Sequence, residues 1–124
     1  MKIGFIGTGN MGGTLASAAA KSGEAQVLLA NRTKAKAEAL AGRIGAAVSG
    51  NEMIAKEADH IFLGVKPQMM AGMLEGIAPA LRERKAPPVL VSMAAGLTIA
   101  RIQELAGGEY PVIRIMPNMP AAVG

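Results

Sequence analysis

The chain has 124 residues, enough for one domain with a real core and not for two; half of it (51%) is apolar but only 2% is aromatic, so aliphatic residues and nine methionines must fill that core. Thirteen basic residues against nine acidic ones give a formal net charge of +4; the bases are scattered and no aromatic platform exists for stacking nucleobases, which excludes a nucleic-acid surface. The absence of cysteine excludes disulfides, thiolate catalysis and cysteine zinc sites, and the single histidine, His60, assembles no metal site alone.

Lys2 to Gly7 is nearly all apolar, as a strand buried on both faces is. Met1–Lys2–Ile3 runs straight into it, so no signal peptide is expected. No run approaches the roughly 18 apolar residues of a membrane span, and the expectation is a cytoplasmic chain with no membrane partner. A glycine turn follows, then a helix from about Met11 to Lys21 whose small residues allow close approach to a sheet, with Gly23 as its stop. Gln26 to Asn31 reads as a second strand. Residues 33–45 make an amphipathic helix with Thr33 as N-cap and Gly45 beyond its end. A short strand, Ala46 to Ser49, precedes a two-turn helix from Asn51. His60 to Val65 is a fourth strand, closed by Lys66–Pro67. The next helix carries apolar residues at Met69, Met70, Met73, Leu74, Ile77 and Leu81, and Pro79 marks its last turn or a break. Residues 88–93 form a fifth strand, Thr98 caps the next helix, and residues 111–116 form the sixth strand. Such alternation predicts βαβ units: one doubly wound α/β domain, with a mainly parallel Rossmann-type sheet of about six strands and helices on both faces.

Gly7, Gly9 and Gly12 stand at G-x-G-x-x-G spacing in the first strand–turn–helix unit. There the first glycine allows the turn, the second lets a pyrophosphate approach the backbone, and the third lets helix pack on strand. The helix N-terminus then points free N–H groups and partial positive charge at the phosphates. A dinucleotide site is expected. An NAD-specific site places Asp or Glu about twenty residues on, to accept from the ribose hydroxyl. Nineteen residues after Gly12 stands Asn31 instead, followed by Arg32 and Thr33. Arg32 offers a charge-assisted fork to a 2′-phosphate. At roughly 1.5–3 kcal/mol for such a bond, NADP(H) is favoured over NAD(H) about ten- to a hundredfold.

Five stretches now stand in order: "IGTGNMG" at 6–12, "ANRT" at 30–33, "GVKPQ" at 64–68, "VSMAAGLTI" at 91–99 and "RIMPNMPA" at 114–121. Together they resemble the N-terminal cofactor domain of the pyrroline-5-carboxylate reductase family over essentially the whole chain. The resemblance implies NAD(P)H-dependent reduction of 1-pyrroline-5-carboxylate to L-proline, the last step of proline biosynthesis. It implies that Ile6, Gly7, Thr8, Gly9, Asn10 and Met11 line the pyrophosphate beside Gly12, and that Asn31, Arg32 and Thr33 hold the ribose and its phosphate. Asn51 would stand near the adenine. Val65, Lys66 and Pro67, then Met93, Ala94 and Ala95, would pass under the cofactor at the tips of the fourth and fifth strands. Pro117 and Asn118 would sit by the nicotinamide. Met119 departs from the family's usual threonine and removes a hydroxyl there.

Members of that family are about twice as long, with a second, helical domain that forms the homo-oligomer and grips the substrate carboxylate. None of it is in these 124 residues, so the expectation is a chain that binds NADP(H) and turns over no substrate alone. His60, Glu57 and Asp59 lie at the wrong end of the sheet for catalysis, and no catalytic residue can be named. Two alternatives stay open: the cofactor domain of a related β-hydroxyacid dehydrogenase or imine reductase, and a non-catalytic dinucleotide-sensing module.

Overall fold

The computed structural model describes residues 1–7, 10–23, 26–31, 33–93 and 96–115, with 10–12 as helical backbone. Six strands and five helices alternate: β1 (Lys2–Ile6), α1 (Asn10–Ser22), β2 (Gln26–Ala30), α2 (Lys34–Ile44), β3 (Ala47–Val48), α3 (Asn51–Glu57), β4 (His60–Leu63), α4 (Pro67–Arg82), β5 (Val89–Ser92), α5 (Ile99–Ala106) and β6 (Val112–Arg114). The strands form one sheet in the order β3-β2-β1-β4-β5-β6, and every pairing is parallel. This is the Rossmann-type α/β architecture that the alternation predicts, with β1 at the point where the strand order reverses.

Side chains that alternate along a strand build two cores, one on each face. Phe5, Val27 and Leu29 point to the layer of α1 and α2, where Ala16, Ala37, Leu40 and Ala41 meet them. Phe62 lies on the same face, its ring stacked on Phe5 at 4.6 Å between centroids. Ile6, Leu28, Ile61, Leu63 and Leu90 point the other way, into a larger core closed by Ile54, Met70, Leu74, Ile77, Leu81 and Ile102 from α3, α4 and α5. Burying each such side chain stabilises the fold by about 1.5–3 kcal/mol. Gly4 has a role in this face that its flexibility does not explain. A Cβ there would stand 2.3 Å from Ile54 Cγ2, so the missing side chain is the seat on which α3 rests.

Three helix ends follow local chemistry. The Thr98 hydroxyl accepts from the Arg101 N–H (3.0 Å), and Gly107 and Gly45 close α5 and α2 in the left-handed conformation. Thr33 occupies the N-cap of α2, but its side chain makes no capping bond. Pro79 does not break α4; it lies in the last turn of a helix that runs to Arg82. Just beyond, Arg84 donates from one guanidinium nitrogen to the carbonyls of Ala55 (2.9 Å) and Ala58 (2.6 Å), satisfying the end of α3.

The strands are shorter than the apolar runs suggest. β4 stops at Leu63 and β6 at Arg114, although Gly64 and Ile115 each still donate one backbone bond to the neighbouring strand. The reading of methionines as core fillers holds for Met70, which is fully buried, and fails for Met69, which is 41% exposed on the first turn of α4. Among the described residues, no helix is long and apolar enough to cross a membrane.

Candidate functional site

The carboxyl ends of the central strands are tied in a stair of backbone hydrogen bonds. Gly7 N–H donates to the Ala30 carbonyl (2.8 Å), Gly64 N–H to Ile6 (2.8 Å), and Ser49 N–H to Leu29 (2.8 Å). Gly7 adopts φ +89°, a region costly for any residue with a Cβ. A Cβ on it would fall 2.7 Å from the carbonyl carbon of Gly64 and 2.8 Å from the nitrogen of Val65. The first strand–helix turn therefore sits directly against the turn after β4, and only bare backbone fits between them.

Two adjoining hollows open at this end. The larger, of about 490 Å³, is lined by Ile6, Gly7, Ala30, Asn31, Asn51, Val65, Gln68, Met69, Gly72 and Met73. The second, of about 430 Å³, shares Ala30, Asn31 and Asn51 and adds Lys34, Val48, Ser49 and Gly50. Asn31 and Asn51, twenty residues apart in sequence, thus meet where β2 ends and α3 begins. No carboxylate lines either hollow, and Lys34 is the only charged side chain that does so among the described residues.

Of the residues singled out from sequence, the structure brings Ile6, Gly7, Asn31, Asn51 and Val65 together in the larger hollow. Thr33, Lys66 and Pro67 cap helices beside it, and Met93 follows β5; these four line neither hollow. Asn10, Met11 and Gly12 form the first turn of α1. Thr8, Gly9, Arg32, Ala94, Ala95, Pro117 and Asn118 lie outside the described residues. Sequence reasoning missed Lys34, Ser49, Gln68, Met69 and Met73. Lys34 was legible as the residue after the "NRT" stretch, whereas the others carry no local signal.

Acidic groups gather at the opposite end. Asp59 accepts from the Lys2 backbone N–H (2.8 Å), and Glu57 pairs with the Lys2 ammonium (2.9 Å). The Lys2 hydrogen bond holds the Asp59 carboxyl below the usual carboxylate range, assisted by the N-terminal amine and Arg84. His60 starts β4 beside them, with Nδ1 buried and without a hydrogen-bond partner among the described residues. These groups stand at the amino edge of the sheet, whereas ligands of open α/β sheets bind outside the carboxyl edge.

A family model described as NADP oxidoreductase, coenzyme F420-dependent, matches residues 2–96. The chain belongs to that family. Within this NADP oxidoreductase family, it is similar to the curated pyrroline-5-carboxylate reductase of Corynebacterium melassecola, with 38% identity over 125 residues that cover 98% of this chain and 46% of the relative. A solved pyrroline-5-carboxylate reductase from Coxiella burnetii matches with TM-score 0.84 and 29% identity, covering 98% of this chain and 45% of that one. The Plasmodium falciparum pyrroline carboxylate reductase, solved with NADP bound, matches with TM-score 0.77 and 29% identity over 99% of this chain and 44% of that one. The chain spans about half the length of the relatives it matches.

The residues present fit the dinucleotide that the family description names. Gly7 leaves the space that a Cβ would fill. Among the described residues, the hollows are lined by Asn31, Asn51, Ser49 and Lys34 and by no carboxylate that would repel a phosphate.

Proposed function

We propose that these residues form the NADP(H)-binding domain of a reductase acting on 1-pyrroline-5-carboxylate. The observation that carries the reading is the paired hollow at the carboxyl edge, built on the Gly7–Gly64 approach and lined, among the described residues, by Asn31, Asn51, Ser49 and Lys34 and by no acid. When bound, such a cofactor supplies a hydride for reducing a carbon–nitrogen double bond.

The chain's own residues bind and orient. The turn at Gly7, Thr8, Gly9 and Asn10 with the start of α1 receives the pyrophosphate. Asn51 and Asn31 donate toward the adenosine half, and Val65 with Lys66 and Pro67 borders the floor. Asn31, Arg32 and Thr33 favour a 2′-phosphate, and Lys34 joins them, since it lines the smaller hollow together with Asn31. Met93, Ala94, Ala95 and Asn118 complete the nicotinamide end. Among the described residues, no histidine or carboxylate lines the two hollows. The proton for the imine nitrogen and the grip on the substrate carboxylate are therefore assigned to no residue of these hollows. The chain, about half as long as the relatives it matches, is expected to bind without turnover alone.

Calorimetric titration with NADPH and NADH tests this. NADPH should bind at least about tenfold tighter, as expected for one charge-assisted contact, and Lys34→Ala should remove part of that preference without weakening NADH. Equal affinity for the two dinucleotides would remove the roles given to Arg32 and Lys34. Binding of neither would overturn the cofactor reading, and proline formation by the 124 residues alone would overturn the division of labour.

A further inference from the structure

Three methionines of α4 meet very different surroundings within five residues. Met70 is fully buried in the core, Met73 packs partly against that core, and Met69 is 41% exposed. Met69 and Met73, one turn apart, both line the larger hollow. No aromatic ring does so: Phe5 and Phe62 stack on each other on the other face of the sheet, and Tyr110 packs near the end of α5. A planar ring entering this hollow therefore finds thioethers, with Ile6 and Val65, for its flat surface. Thioether sulfur is polarisable and makes favourable contacts with such rings.

We propose that Met69, with Met73 behind it, is a peroxide-sensitive modification site that sets the affinity of the dinucleotide hollow. The proposal rests on the cofactor reading above. A hydroperoxide supplies the oxygen. Its O–O bond breaks and an S–O bond forms on the thioether. The sulfur gives up two electrons, and hydrogen peroxide leaves as water after one proton shift. Exposure and position together select the residue: Met69 is exposed and lines the hollow, Met70 beside it has no accessible surface, and the more exposed Met1 and Met53 line neither hollow. The product is a polar, chiral sulfoxide that no longer offers a soft apolar wall. Reduction by a sulfoxide reductase would restore the thioether, so the modification is reversible.

The test exposes the purified chain to graded hydrogen peroxide with and without NADP+, the oxidised form being inert to peroxide. Peptide mass mapping follows each methionine, and calorimetry follows NADP+ affinity. Met69 is expected to oxidise well before Met70, and bound NADP+ should slow Met69 while leaving Met1 unaffected. Affinity should fall by about five- to tenfold as Met69 converts. In a Met69→Leu/Met73→Leu variant, the ratio of affinities before and after peroxide should collapse to one, whatever the starting affinity. Failure of the untreated chain to bind NADP+ would overturn the cofactor reading and this proposal with it. Binding that survives full conversion of Met69, or an equal peroxide-induced loss in the double variant, would overturn the proposal alone.

Discussion

Alanine at Gly7 and alanine at Gly45 should cost very different amounts, although both glycines have positive φ. At Gly45, φ is +76° and a Cβ would meet nothing within 4 Å, so Gly45→Ala loses only the left-handed backbone preference, about 1–2 kcal/mol. At Gly7, φ is +89° and the same Cβ would stand 2.7, 2.8 and 2.9 Å from the Gly64 carbon, Val65 nitrogen and Gly64 oxygen. All three are backbone atoms that cannot rotate away, and such overpacking adds about 1–3 kcal/mol. The total for Gly7→Ala is about 2–5 kcal/mol, a large part of the roughly 5–15 kcal/mol that holds a domain together. Urea unfolding followed by far-ultraviolet circular dichroism reads the difference. With a slope near 2 kcal/mol per molar, Gly7→Ala should lower the midpoint by about 1–2.5 M and Gly45→Ala by less than about 1 M. Equal losses at the two positions would refute the close-approach reasoning, and with it the claim that bare backbone at Gly7 is demanded by Gly64.

Further outcomes follow from the packing and the charges. Gly4→Ala should destabilise by about 1–3 kcal/mol through its clash with Ile54, and Ile54→Ala by about 2–5 kcal/mol through a cavity. The double variant should lose at least about 1 kcal/mol less than the sum, because the new methyl enters the vacated space; strict additivity in the same urea assay would contradict the contact. Asp59 has a lowered folded pKa, so the stability it confers is complete above the ordinary aspartate value of about 3.9 and is lost as pH falls through the lower folded value. Asp59→Asn should therefore make the acid-side fall of the thermal midpoint shallower below about pH 4; an unchanged profile would mean that the Lys2 hydrogen bond contributes nothing.

What the sequence made legible was mostly local. The Thr98 cap, the Gly45 stop and the helical stripe through Met70, Leu74, Ile77 and Leu81 each rest on residues within a turn or two of one another. Sheet class followed from alternation, and the nearness of Asn51 to Asn31 followed only from the family resemblance, since Asn51 itself reads as the start of a helix. What stayed hidden depends on distant partners. Gly64 looks like any strand terminus until Gly7, 57 residues earlier, is seen against it. Gly4 reads as a weak strand residue until Ile54 occupies its missing side chain. Arg84 looks like part of a solvated basic run, yet its guanidinium closes α3. Met69 fits a core stripe by spacing, yet in the structure it is exposed and lines the hollow. The end of β4 was overextended because apolar character continues to Val65, past the last paired residue, Leu63.

The central position of β1 also has a temporal meaning. Of the six strands it is the first to be made, and its two neighbours are β2, which starts at Gln26, and β4, which starts only at His60. Once β2 has paired, the other edge of Phe5 and Ile6 stands open while some thirty more residues are made. An open apolar edge is a template for pairing with another chain, and parallel pairings across long crossovers form slowly. The strand that ends beside Gly7 is thus the first laid of the six and waits for β4 before both its edges are paired. Gly7 reaches its place against Gly64 only when β4 arrives, so this part of the site is born with the pairing of β1 and β4.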